Sequence, residues 1–201
     1  MANPHRKEEG EATPGRKVAK VPEEVGRSRL EFLFDGVFAI AMTILVLELK
    51  VPDLDDPRSG PALLRGLAHH ASGFAGYLIS FAMLGVLWYN HQYQYRHIRR
   101  IRRPVLVMNL GLMATAAAFP FCAATFSRYP INPFSIVLYM ACLFAHITLS
   151  HIQWRLAFRG GDLDPDLDPA LARKIFRGTL RAAVITGCMT VLYSIMGLAK
   201  L

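Results

Sequence analysis

An all-α bundle of membrane-spanning helices, with no soluble domain, is the fold class this sequence predicts, and three observations carry the prediction. Apolar residues make up 53% of the 201 and charged residues only 19%, and the mean hydropathy is +0.28, outside the usual soluble range. The apolar residues come in blocks about one bilayer crossing long, since a hydrocarbon core of about 30 Å takes roughly 20 residues of helix. The blocks are evenly apolar, unlike the alternating, roughly ten-residue strands of a membrane barrel.

Five spans are visible, near Glu31 to Leu49, Leu67 to Tyr89, Pro104 to Phe126, Phe134 to Trp154 and Leu171 to Leu198. Residues 1–26 are polar, rich in Glu, Lys, Pro and Gly, and lack the apolar core of a secretory signal; they read as a disordered tail before a membrane domain over residues 27–201. Eighteen of the 23 Lys and Arg residues lie in or just after that tail, between Arg96 and Arg103, or between Arg155 and Arg181. The positive-inside rule therefore places the N-terminus in the cytoplasm. Basic loops beside lipid headgroups account for most of the net charge of +8, so membrane lipid and not nucleic acid is the expected polyanion.

The connections and the reactive residue types exclude several functions. Val51 to Pro61 is a short acidic outer loop. Gly160 to Pro169 carries four aspartates but lacks the ligand spacing, central glycine and closing glutamate of an EF-hand, so it reads as a solvated, helix-capping loop. Cys122, Cys142 and Cys188 sit singly in apolar spans and read as small hydrophobic residues. Among the seven histidines, no pair stands at the i, i+4 spacing of a helical zinc site. No nucleophile elbow, phosphate loop or dinucleotide fingerprint is present. Neither an enzyme nor a cofactor is expected.

Span one holds the functional signal. Arg29 to Pro52 places Arg29, Glu31, Asp35, Thr43, Glu48 and Lys50 in an otherwise apolar run, and an ionisable group at depth costs at least a few kcal/mol unless it meets a partner or water. At about 100° per residue, Ile40, Thr43, Ile44 and Leu47 form one stripe, and Asp35 lies roughly 140° from Ile40. The stripe could line an oligomer axis, but on spacing alone packing against neighbouring helices is the more ordinary reading. Asp35 should face protein. Its candidate partners at similar depth are Trp88 and His91 at the end of span two and Asn109 early in span three; with Arg29 they would form a buried polar network, either a structural clamp or a gate.

These residues resemble a known family. Bacterial homologues of transmembrane protein 175, the endolysosomal potassium channel, carry an Arg-x-x-x-Phe-Ser-Asp signature opening span one. Arg29, Leu33, Phe34 and Asp35 stand in its register, with Leu33 and Phe34 replacing Phe and Ser. The continuation Phe38 to Pro52, the Trp88 to His91 segment, Asn109 and the Phe119 to Phe121 triplet also look like the family pattern, and the resemblance runs to about Phe126. It implies a potassium-permeable cation channel in the cell (plasma) membrane without the TVGYG filter, which this sequence lacks. It further implies a homotetramer whose pore is lined by span one, with Ile40, Ile44 and Leu47 as constriction rings and Thr43 as a hydroxyl selectivity ring. Potassium is the expected ion, with other monovalent cations and protons also admitted.

The family has six spans where five are visible, so the sequence leaves two readings: a last segment broken near Gly187, or a final helix missing from this chain. A rival function is a cation- or proton-coupled secondary transporter using Asp35 as its relay, against which the lack of an inverted repeat counts.

Overall fold

The computed structural model describes residues 23–199, and all its long elements are helices. In chain order these are α1 (Glu23–Ile44), prolonged by a 3-10 turn (Leu45–Glu48), α2 (Gly60–His69), α3 (Ala71–Tyr95), α4 (Arg103–Arg128), α5 (Pro133–Gly160) and α6 (Pro169–Leu198). Five of them, all but α2, are long and apolar enough to cross a membrane. The protein is an all-α, multi-pass membrane bundle.

Proline and a short polar side chain set most of the helix starts. Ser59 Oγ accepts from the Ala62 amide, Asn132 Oδ1 from Phe134 and Asp168 Oδ1 from Ala170, at 3.3, 2.9 and 2.8 Å. Pro61, Pro104, Pro133 and Pro169 occupy the first turns, where the missing N–H costs nothing. Gly161, at φ 67°, closes α5 in the left-handed conformation that side chains resist.

Packing is layered. α4 lies against α1, α3 and α5, while α6 packs on α5. Leu30, Phe34, Phe38, Ala41 and Leu45 form the buried face of α1, a spacing of three and four that only a helix brings together. At one end of α3, Gly76 lets α4 approach closely: a Cβ there would lie 2.1 Å from Ser127 Oγ.

Four details differ from the sequence reading. The described part of α1 begins at Glu23, inside the stretch expected to be tail, whereas residues 1–22 lie outside the described residues. Span two does not start at Leu67: the backbone turns at His70 (φ −92°, ψ 12°), separating α2 from α3. α2 buries no residue, and its Gly66 sits against Pro52, where a Cβ would come within 2.6 Å of the proline Cβ. α6 runs unbroken through Gly187 to Leu198, which removes the broken-segment reading. In the Gly160 to Pro169 loop one aspartate is not solvated: Asp162 is 1% exposed and receives Arg102 Nε at 2.6 and 2.8 Å.

That ion pair belongs to a platform at one end of the bundle. The Asp162 carbonyl accepts from the Arg99 and Arg100 amides at 2.7 and 3.1 Å, the Asp164 amide donates to the His97 carbonyl at 2.9 Å, and Ile98 bridges Leu163. The α3–α4 and α5–α6 connections are thus strapped together. The start of α1 joins the same end, because Arg27 reaches the Tyr95 carbonyl.

Candidate functional site

The site is built on the two faces of α1. Its buried face carries the polar contacts. Asp35 Oδ1 accepts from Trp88 Nε1 at 2.8 Å and from the Gln92 side-chain amide. Trp88 and Gln92 stand one turn apart on α3, so a single carboxylate oxygen bridges both. His91, on a different face of α3, does not reach Asp35. Its Nε2 pairs with Asn109 Oδ1 on α4 at 2.9 Å, and Gln153 of α5 donates to the same oxygen at 3.3 Å. Asn109 is fully buried. The residues expected to form one network therefore form two clusters, Asp35–Trp88–Gln92 and His91–Asn109–Gln153.

An aromatic contact joins the clusters. Phe34 stacks on the His91 imidazole with centroids 3.4 Å apart and planes 11° apart, and Phe38 lies 4.8 Å beyond it. The phenylalanine standing at the serine position of the family signature thus makes a stacking contact where a hydroxyl would make a hydrogen bond. Further polar pairs tie neighbouring helices: Gln94 with Ser150 at 2.9 Å, Thr115 with His146 at 2.7 Å, and His151 with Thr179 at 2.9 Å. In a membrane such pairs help hold helices together that have no water to exclude.

Arg29 joins neither cluster. It is exposed and makes no hydrogen bond or ion pair among the described residues. Arg27 takes the fastening role instead. Its guanidinium pairs with Glu31 at 3.1 Å, donates to the Tyr95 carbonyl at 3.3 Å and lies 5.6 Å from the Tyr95 ring centroid. The carbonyls at the end of α3 carry the negative pole of that helix, which a guanidinium complements. The sequence reading missed Arg27 and Gln92; the i, i+4 spacing of Arg27 to Glu31 and of Trp88 to Gln92 was the available signal.

The opposite face of α1 is bare in the single chain. Ile40 is 61% exposed, Ile44 41% and Leu47 73%, and Thr43 is exposed with its hydroxyl donating to the Ile40 carbonyl at 2.8 Å. Leu45, between them in sequence, is 2% exposed. α1 changes to 3-10 geometry after Ile44, at about 120° and 2.0 Å per residue. Leu47 thereby stays within roughly 40° of Ile40 and sits about 12 Å along the axis from it. Among the described residues, no helix covers the stripe at Ile40 and Leu47.

A profile of the family described as endosomal/lysosomal potassium channel TMEM175 matches residues 29–120. A potassium channel of Streptomyces collinus is 31% identical over 150 residues, covering 72% of this chain and 71% of that protein. The human endosomal/lysosomal proton channel TMEM175 is 29% identical over 116 residues, 54% of this chain and 23% of its own length. The crystal structure of a lysosomal potassium-selective channel TMEM175 homolog from Chamaesiphon minutus superposes with a TM-score of 0.62 at 22% identity, over 86% of this chain and 98% of that one; at that identity it shows the shared fold. The chain belongs to the TMEM175 family, a family of channels and not of enzymes.

Proposed function

We propose that this protein is a potassium-permeable cation channel, assembled as a homotetramer around α1, in the cell membrane with its N-terminus in the cytoplasm. The observation that carries the reading is the exposed stripe of Ile40, Thr43, Ile44 and Leu47 on a helix that buries Leu30, Phe34, Phe38, Ala41 and Leu45 on another face. Four copies facing one axis would stack rings of branched side chains. Such rings stop ions by narrowing and dewetting, while a hydroxyl ring partly replaces the water around a weakly hydrated cation. Potassium sheds its water more readily than sodium, which supports modest selectivity at Thr43.

Asp35 acts in this reading as a clamp. Its contacts with Trp88 and Gln92 fix the rotation of α1 about its own axis, and so the aim of the stripe. The orientation is supported by the platform end of the bundle, where the start of α1, the 96–102 connection and the 160–169 connection meet and where most of the basic residues outside the tail lie. The test is purified protein in liposomes loaded with potassium: efflux should require a counter-ion path from a proton ionophore and exceed sodium efflux. Flux that saturates and demands a second co-transported solute would instead favour the transporter reading.

A further inference from the structure

A groove of about 770 Å³ runs between α3 and α6 over a floor of α5, away from the stripe of α1. Its lining changes character along its length. Near the platform end it is polar and basic: Arg173, Lys174 and Arg177 from the start of α6 face Asn90 and Tyr93 from the end of α3. Further along it is apolar, with Met83, Val86 and Ile147. Arg181, eight residues beyond Arg173, lies about 12 Å deeper, where an arginine must extend its head toward the surface.

The charge is unbalanced. The groove is lined by four Lys or Arg side chains and no carboxylate, and α3, α5 and α6 contain no Asp or Glu at all. Ion pairs among the described residues are Arg27–Glu31 and Arg102–Asp162, so none of the described carboxylates pairs with the four cations. A concentrated positive wall at the level of the headgroups, continuous with an apolar trough directed toward the bilayer centre, is complementary to one kind of molecule that surrounds every membrane protein.

We propose that this groove seats an anionic phospholipid, its phosphate held by Arg173, Lys174 and Arg177 and an acyl chain lying along Met83, Val86 and Ile147. Arg181 reaches up to the glycerol region. A zwitterionic lipid fits less well, because its ammonium would enter the same cluster of guanidinium groups.

The test uses the full chain, delipidated in detergent, with native mass spectrometry and thermal melting in phosphatidylglycerol or in phosphatidylcholine of the same acyl chains. Wild-type protein should retain phosphatidylglycerol about tenfold more tightly, as expected for basic side chains at an anionic headgroup, and melt higher in its presence. The double substitution K174Q/R177Q should remove the preference, and Arg128→Gln, at the opposite end of the bundle, should keep it. Val86→Trp, which fills the apolar end and leaves all four charges, should also weaken retention. Soluble glycerol phosphate should fail to compete. Equal retention of the two lipids by wild type, an undiminished preference in K174Q/R177Q, or full competition by glycerol phosphate would overturn the proposal. So would loss of the oligomer in lipid-free K174Q/R177Q, since the groove would then be a seat for another subunit.

Discussion

Replacing Asp35 tests whether α1 is held at its working rotation by the contacts seen here. Asp35→Ala removes the acceptor of two hydrogen bonds, from Trp88 and from Gln92. A hydrogen bond to a charged group contributes about 1.5 to 3 kcal/mol, so two set an upper range of about 3 to 6 kcal/mol. Asp35 is only half-buried and Trp88 is 38% exposed, so water replaces part of what is lost and the expected cost is about 1.5 to 3 kcal/mol. No buried charge is orphaned, since both donors are neutral. For a chain of this size that is a fall of about 3 to 12 °C in Tm. The assay is denaturant unfolding of the purified protein in mixed micelles, as a double-mutant cycle with Trp88→Phe. The coupling energy should be about 1 to 2 kcal/mol, and Asp35→Asn, which keeps an acceptor oxygen, should lose less than Asp35→Ala. Strict additivity of Asp35→Ala and Trp88→Phe, within about 0.5 kcal/mol, would refute the clamp.

Ile40→Asn should raise cation flux by wetting the constriction, whereas Leu45→Ala, at a site 2% exposed, should cost about 2 to 5 kcal/mol of stability with no gain of conduction; single-channel recording and thermal melting separate the two. Arg102→Gln leaves the buried Asp162 carboxylate without its cation; an uncompensated buried charge destabilises the fold, readable as a lower Tm. His97, in the connection after α3, is held below the usual histidine pKa by burial and then by Arg96, with Asp164 opposing. Its neutral form therefore contributes stability that is complete above pH 6.5 and is lost as pH falls below that value toward the lower folded pKa; His97→Gln should flatten this part of a Tm-against-pH curve.

Much of this molecule is legible in the linear sequence because the bilayer imposes length and apolarity on each span. The five long helices follow from composition, and the 3.6-residue period groups Ile40, Thr43, Ile44 and Leu47 on one face of α1, but their exposure does not follow from either. What escapes is decided by contacts distant in sequence. The residues around Leu67 are as apolar as those of α3, and only the turn at His70, with Gly66 against Pro52, assigns them to a separate helix. Arg27 and Arg29 are indistinguishable in composition, and the carbonyl at Tyr95 selects between them. Asp162 looks like its neighbours Asp164 and Asp166 until Arg102, 60 residues away, covers it. Trp88, His91 and Asn109 were recognisable as a polar group, but the helical phase of α3 sends Trp88 with Gln92 toward Asp35 and His91 toward Asn109.

The central claim, that α1 lines the conduction path, is tested most directly by cysteine accessibility during recording. In a background with Cys122, Cys142 and Cys188 replaced by alanine, single cysteines are placed at Ile40, Leu47 and Leu45, and a charged, water-soluble thiol reagent is applied to open channels. Current should fall irreversibly for Ile40→Cys and Leu47→Cys and stay unchanged for Leu45→Cys, whose side chain points into the helix bundle. Unchanged current at positions 40 and 47, with block at position 45, would contradict a pore built on this face of α1.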